Sequence, residues 1–374
     1  MIVFFVGTAA ELVKVAPVIR EVKGRGAPFT VVSSGQNDLR GSELWKLAEV
    51  PGADITLSTR PIAPRAVGLG AFLARTTVTG LADLRRARAE WPRRSTRTVV
   101  HGDTVSTLMG ASLFKALGLP VHHIEAGLRS FDLTQPFPEE LCRVLVSRIA
   151  DVAYCPNGWA VQNLRTAPAK LRKVLTHGNT LYDSLELAVA AHSASGADEP
   201  LPERLEAPFF VLVVHRQENL FGTSFLRAIV EKVRAAPGRP TCAFVMHALT
   251  RAGLERAGLM RELENDPTFV LLPRQPYVRF ANILARADFL VTDGGSNQEE
   301  AYYLGLPCLL MRRVTERIEG LGENVLLSKE PLREIDDFMR NAARSKRPRV
   351  HLATSPSAII AEDLIRSTRT SSAS

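Results

Sequence analysis

Cysteine is scarce in this sequence, and no cysteine lies near another. Cys142, Cys155, Cys242 and Cys308 form no C-x-x-C pair and have no histidine at zinc-ligand spacing, and each sits in or beside an apolar run. Buried free thiols are the expectation, and a metal site or a disulfide framework is not. Long apolar runs are also missing. MIVFFVGTAA at the start and FFVLVV at 209–214 fall well short of the ~20 residues that span a bilayer. There is no basic start followed by an apolar stretch and a small-residue cleavage site. The chain therefore reads as cytoplasmic, with no membrane partner. A G-x-G-x-x-G fingerprint and a P-loop lysine are absent as well, so no nicotinamide, flavin or other cofactor is expected.

What is present is ordinary globular composition. Hydrophobic residues make up 45% and charged residues 23% of 374 residues, enough for two domains of roughly 150–200 residues each. The net charge of +8 raises the question of nucleic acid. The densest basic run, RRARAEWPRRSTR at 85–97, lacks interleaved aromatics and any reader motif, and arginines at helical spacing form a solvated face. No nucleic-acid partner is expected; an acidic small substrate such as a nucleotide diphosphate accounts for local positive charge better.

Apolar, β-branched runs alternate with segments of helical period. IVFFVG leads into ELVKVAPVIREVK, FTVVSS into a helix near 40–49, RTVVHGD into STLMGASLFKALG, and PVHHIEAG into PEELCRVLVSRIA. That rhythm is the mark of a parallel sheet covered by helices on both faces. HSASGADEPLPERLEAP near 192–208 has no period and reads as a linker. Afterwards the rhythm restarts with FFVLVVH, a helix near 222–235, CAFVMH, TFVLLP, a helix near 276–286, DFLVTDGG, EEAYYLG and PCLLM. The expected class is α/β: two doubly wound Rossmann-like domains, at 1–190 and 209–350, facing a central cleft, with the linker at 191–208. A C-terminal helix near 355–369 and a disordered tail complete segment 351–374.

Ligands in such sheets bind beyond the carboxyl ends of the strands, and polar residues gather there. His101, Gly102, Asp103 and Thr104 follow TVV; Glu125 and Gly127 follow VHHI; His215, Arg216 and Glu218 follow FFVLVV; His247 follows AFVM. Asp103 reads equally as a helix N-cap. Glu139 and Arg143 in PFPEELCR read as a helix start with an i,i+4 ion pair. Helix chemistry does not explain acids at three consecutive strand-end loops of one domain. In VTDGGSNQEEAYYLGLP, at 291–307, strand FLVTD, loop GGSN and helix QEEAYYLG bring backbone N–H groups and a positive helix end to one point, an anion site. Gly294 and Gly295 allow close approach of a phosphate. Ser296 can cap the helix or donate, and Glu299 or Glu300 can reach a ribose hydroxyl.

GTAAELVKVAPVI, SSGQNDL, HGDTVSTLMGASLFKALGLPVHHIEAGLRS, FPEELCRVLVSRIADVAYCP, HGNTLYDSL, VLVVHRQEN, TDGGSNQEEAYYLGLPCLLMR and TERIEGLGEN, in this order from about 6 to 326, resemble the non-hydrolysing UDP-N-acetylglucosamine 2-epimerases. The resemblance implies a GT-B-like fold, a homodimer, a UDP-sugar substrate, and interconversion of UDP-GlcNAc and UDP-ManNAc without metal or nicotinamide. It implies that Asp103, Glu125 and Glu139 are acid, base and charge-stabilising groups. It places Arg143, His215 and the N–H groups at Gly295 and Ser296 on the diphosphate, Glu300 on the ribose, and Lys14, Gly294, Arg312 and Arg317 about the pocket. His215 stands with the three acids as a catalytic candidate.

Three departures from the family pattern fall on the nucleotide side. Ala9 and Ala10 replace the arginine and proline of G-T-R-P-E. GGSNQEE replaces S-G-G-I-Q-E-E, through Gly294 and Asn297. Asn37 replaces the histidine of G-Q-H, which puts regulation by a second UDP-GlcNAc in doubt. The acids are intact, so a shifted substrate is more plausible than lost chemistry. The alternatives are a hydrolysing 2-epimerase releasing ManNAc and UDP, a GT-B glycosyltransferase using a UDP-sugar, and a non-catalytic sensor. Richness in arginine and alanine suits a GC-rich genome, with the product serving cell-wall or antibiotic sugars.

Overall fold

A computed structural model of the chain describes residues 1–57, 66–92, 94–133, 137–195, 201–205, 208–220, 222–236, 238 and 240–370. It divides into two compact units, Met1–Ser184 with Leu352–Ser374, and Leu185–His351.

The first unit is built on a seven-stranded parallel sheet. Its strands are β1 (Ile2–Val6), β2 (Phe29–Ser33), β3 (Ile55–Thr56), β4 (Arg97–His101), β5 (Val121–Ile124), β6 (Val152–Cys155) and β7 (Arg172–Leu175), in the order β3-β2-β1-β4-β5-β6-β7. β1, β4, β5 and β6 are buried along their whole length, as strands covered on both faces must be. Connections run outward in both directions from the β1/β4 pair, which makes the gap beyond their carboxyl ends the switch point where ligands bind. Close packing there depends on Gly7. A Cβ on it would stand 1.8 Å from Ser106 Oγ.

The second unit repeats the plan with β8 (Phe209–Val213), β9 (Thr241–Met246), β10 (Phe269–Pro273), β11 (Leu290–Thr292), β12 (Cys308–Met311) and β13 (Val325–Ser328), ordered β10-β9-β8-β11-β12-β13 and all parallel. Its switch point lies between β8 and β11. All four cysteines are free and buried.

Several details differ from the sequence reading. Of the stretch read as a linker, Glu203–Leu205 forms a 3-10 turn, and Leu205 is fully buried among Phe209, Val211 and Val213 of the second unit's core. Residues 196–200 and 206–207 of that stretch, and the tail 371–374, lie outside the described residues. The C-terminal helix Pro356–Thr370 belongs to the first unit. Its Asp363 accepts from Arg172 (Nη1 2.9 Å, Nη2 2.6 Å) and from the Tyr154 hydroxyl at 2.8 Å. Arg97, placed by sequence on a solvated face, opens β4 and is buried, with Nη1 donating to the Arg94 and Thr96 carbonyls. Arg85 and Arg86 are exposed in the last turn of the helix Ala66–Ala87.

Candidate active site

Two clusters of polar side chains occupy the two switch points. In the first unit the loops after β1 and β4 are tied together by Glu11, a residue the motif reading passed over. Its carboxylate accepts from the Gly7 N–H at 2.6 Å, from the Thr104 hydroxyl and from the Thr107 hydroxyl at 3.4 Å. Thr104, not Asp103, is the N-cap of the helix Val105–Ala116, in a reciprocal capping box with Thr107. The cap reading of Asp103 is therefore wrong, and its carboxylate is available for other work.

Asp103 pairs with Arg143 Nη2. Arg143 is itself buried, and its Nη1 lies 3.0 Å from Glu140 Oε2. Glu140 is fully buried and also accepts from Arg129 Nε and from the backbone N–H groups of Ser130 (3.0 Å) and Phe131 (3.3 Å). It is the organiser of this corner. Its neighbour Glu139, the acid singled out by sequence, is only partly buried. Burial pushes the Cys142 thiol up to about 12, and the charges of Asp103 and Glu139 add to that rise.

Glu125 follows β5 in the left-handed region, at φ 63°, a conformation uncommon outside glycine. The carboxylate held there is buried. It pairs with Lys14, accepts from Asn179 Nδ2 at 2.6 Å, and stands 3.6 Å from His101 Nε2. Burial pushes His101 down to about 3, so its ring is neutral at pH 7. Lys14 lies on the helix Ala9–Gly24, capped by Thr8. The start of that helix is held by Asn37, whose Oδ1 accepts from the Ala9 N–H at 3.2 Å.

Glu11 has a measurable consequence. Burial pushes its carboxyl up from 4.5 to about 7, against hydrogen bonds from Thr104 and Gly7 that pull it down. The fold therefore favours the protonated form. Stability contributed by Glu11 is complete below about pH 4.5 and is lost as pH rises towards 7, by up to roughly 3 kcal/mol. Glu11→Gln, which stays neutral, is expected to flatten Tm between about pH 5 and pH 8. A slope unchanged in the variant would remove Glu11 as its source.

In the second unit the tie across the switch point is Asp293, fully buried at the end of β11. It accepts from the His215 and Arg216 N–H groups at 3.0 Å and from Asn219 Nδ2 at 2.9 Å, and it lies 3.2 Å from His215 Nδ1. It shapes the turn after β8 and orients His215, which stacks on His247 with ring centroids 4.9 Å apart. Burial, and the neighbouring His215, push His247 down to about 4. Glu218's side chain lies outside the described residues.

The GGSN segment is not a loop. The helix begins at Gly295 and runs to Leu304, with Gly294 as an N-cap that makes no side-chain cap bond. Ser296 therefore lies in the first turn and does not cap it. The ten-residue helix opens without a side-chain cap, its first backbone N–H groups forming the positive end of its dipole. Around Gly295 stand Arg317 Nη1, Glu316 Oε1 and Arg312 Nη1, which a Cβ on Gly295 would meet at 2.8, 2.9 and 2.9 Å. Arg312 is buried and its Nη2 is bound to Glu316 at 2.9 Å. Its Nη1 is buried without a hydrogen-bond partner among the described residues. An unpaired guanidinium N–H beside the uncapped N-terminus of a helix is suited to an anion. Glu299 is spent internally, bound to Arg317 Nε at 2.9 Å. Glu300 is buried and accepts from Asn297 Nδ2 at 2.8 Å.

Thus Asp103, Glu125, Glu139, Lys14 and Arg143 share the first unit's switch point, and His215, Gly294, Gly295, Ser296, Glu300 and Arg312 the second's. Among the described residues no cluster of histidine, cysteine, aspartate or glutamate is arranged to hold a metal, and no helix is long and apolar enough to cross a membrane.

Residues 72–355 match the family model for UDP-N-acetylglucosamine 2-epimerase. The chain belongs to this family. Within it, the UDP-2,3-diacetamido-2,3-dideoxy-D-glucuronate 2-epimerase of Pseudomonas aeruginosa is 34% identical over 241 residues, 62% of this chain and 63% of that enzyme. The UDP-N-acetylglucosamine 2-epimerase of Methanocaldococcus jannaschii is 27% identical over 91% of this chain and 92% of its own. The crystal structure of the Methanocaldococcus jannaschii 2-epimerase in complex with UDP-GlcNAc and UDP superposes with a TM-score of 0.79 at 23% identity, covering 98% of this chain and 99% of that one. A UDP-glucosyltransferase from Polygonum tinctorium superposes at 0.58 with 12% identity, over 98% of both chains. This epimerase family and that glycosyltransferase share one α/β architecture of parallel sheets.

Proposed function

We propose that this protein is a non-hydrolysing UDP-N-acetylglucosamine 2-epimerase that interconverts UDP-GlcNAc and UDP-ManNAc, acting as a cytoplasmic homodimer. The observation that carries the reading is the pair of carboxylates at adjacent strand ends, Asp103 on Arg143 and Glu125 on Lys14, in a member of this family.

The chemistry demands such a site. The hydrogen on carbon 2 of the sugar is not acidified by any neighbouring carbonyl. Expulsion of UDP from the anomeric carbon builds positive charge next to carbon 2, so that a carboxylate can take the proton and leave a glycal. Return of UDP, with protonation of carbon 2 from the opposite face, yields the epimer. Asp103, Glu125 and Glu139 share the roles of base, acid and charge stabiliser. The departing diphosphate needs fixed donors, for which the N–H groups at Gly295 and Ser296, His215 and the unpaired Arg312 Nη1 are suited, while Glu300 takes the ribose.

A second reading keeps the reaction and changes the sugar. The Pseudomonas aeruginosa relative acts, by its name, on a diacetamido glucuronate. Incubation with each UDP-sugar in deuterated water tests both readings. Deuterium at carbon 2 of recovered UDP-GlcNAc, together with UDP-ManNAc, is the expected result. Binding of UDP without exchange from any such sugar sinks the epimerase reading, free ManNAc with UDP marks a hydrolysing enzyme, and exchange only with the diacetamido sugar moves the substrate.

A further inference from the structure

Asn297 lies in the first turn of the helix Gly295–Leu304, and its side chain is held at both ends. The Gly294 N–H donates to Thr292 Oγ1 at 3.0 Å, the Thr292 hydroxyl donates to Asn297 Oδ1 at 3.0 Å, and Asn297 Nδ2 donates to Glu300 Oε2 at 2.8 Å. The direction is set at the carboxylate end, because an ionised carboxylate can only accept: Asn297 Nδ2 must face Glu300, which turns Oδ1 to the Thr292 hydroxyl as acceptor. The amide therefore has one orientation, oxygen towards the end of β11 and nitrogen towards Glu300.

That orientation dictates the residue at 294. A Cβ there would stand 2.3 Å from Asn297 Oδ1 and 3.0 Å from His215 Cε1. The Asn297 oxygen already fills the space that a side chain at 294 needs, and His215 closes the other side. Gly294 and Asn297 are one device.

We propose that Asn297 is a positioning residue for nucleotide recognition, aiming the Glu300 carboxylate at the ribose hydroxyls and confining position 294 to glycine. This rests on the UDP-sugar reading above. The test compares UDP with 2′-deoxy-UDP by calorimetry in the wild type, Asn297→Ala, Gly294→Ala and the double variant. Wild type is expected to prefer UDP, and Asn297→Ala to lose roughly tenfold of that preference, as removal of a hydrogen bond to a charged group does. KM for the UDP-sugar rises more than kcat falls. Gly294→Ala alone weakens UDP binding, and the double variant binds no worse than Asn297→Ala, because the clash has gone. A packing role alone would lower Tm and weaken both nucleotides equally, leaving the preference unchanged, and that result overturns the proposal. So does strict additivity of the two single effects. Failure of the wild type to bind UDP at all would instead overturn the UDP-sugar reading.

Discussion

Asp103→Asn is expected to abolish deuterium exchange at carbon 2 while leaving UDP affinity within a few-fold of wild type. Asparagine keeps the size of the side chain and can still accept from Arg143, so the corner built by Arg143 and Glu140 has no reason to collapse. What is lost is a carboxylate that can exchange a proton and balance positive charge on the ring. Removing a general acid or base lowers turnover by roughly 10²- to 10⁴-fold. Of the groups expected to hold UDP, His215, the Gly295 and Ser296 N–H groups, Glu300 and Arg312 lie in the second unit and are untouched, and Arg143 keeps an acceptor in the asparagine oxygen. Exchange measured by mass spectrometry and UDP binding measured by calorimetry decide the matter. Exchange within tenfold of wild type would take Asp103 out of the chemistry.

Glu140→Ala is expected to produce the largest loss of stability. Its carboxylate has no solvent exposure, and it neutralises Arg129 and Arg143 while accepting two backbone N–H groups. Removing one side of a buried ion pair strands the other, at about 3–5 kcal/mol, which for a unit of this size lowers Tm by roughly 6–20 °C. Glu140→Gln keeps the shape and should lose less. Glu139→Gln, one residue earlier, separates structure from chemistry: it should cost turnover with a Tm closer to wild type. Thermal unfolding of the three variants reads these differences, and equal Tm values for Glu140→Ala and wild type would dismiss the organiser role.

The rhythm of strands and helices was legible because parallel strands buried on both faces must be almost wholly apolar, as IVFFV and FFVLV are. Elements without that signature escaped. β7, RKVL, is mostly exposed at the sheet's edge, and β3 is two residues long. The start of the helix at Gly295 escaped for another reason. Two glycines disfavour helix locally, and it is the packing of that turn against His215, Arg312 and Arg317 that settles it.

Of the candidate site, Asp103 and Glu125 were legible from their position after β4 and β5, where a doubly wound sheet faces a ligand, whereas Glu139 opens the helix Glu139–Ile149. Their partners were not. Lys14 and Glu125 are 111 residues apart, Arg143 and Asp103 are 40, and Asp293 shapes a turn 78 residues earlier. Glu11 looked unremarkable in sequence, and Asp293 stood out only as a strand-end acid following FLV, because tying two loops together is a property of the strand order.

By itself, the sequence determined the fold class, the family and the acids that end the strands, because burial period and motif order are written locally along the chain. Only the tertiary structure decided which cation holds which acid, that Thr104 and not Asp103 caps its helix, that the fully buried acid of the Glu139–Glu140 pair is Glu140, and that Asn297 makes Gly294 necessary. Those outcomes depend on distances across the β1/β4 and β8/β11 switch points, and such distances are set by how the strands are ordered in the sheet.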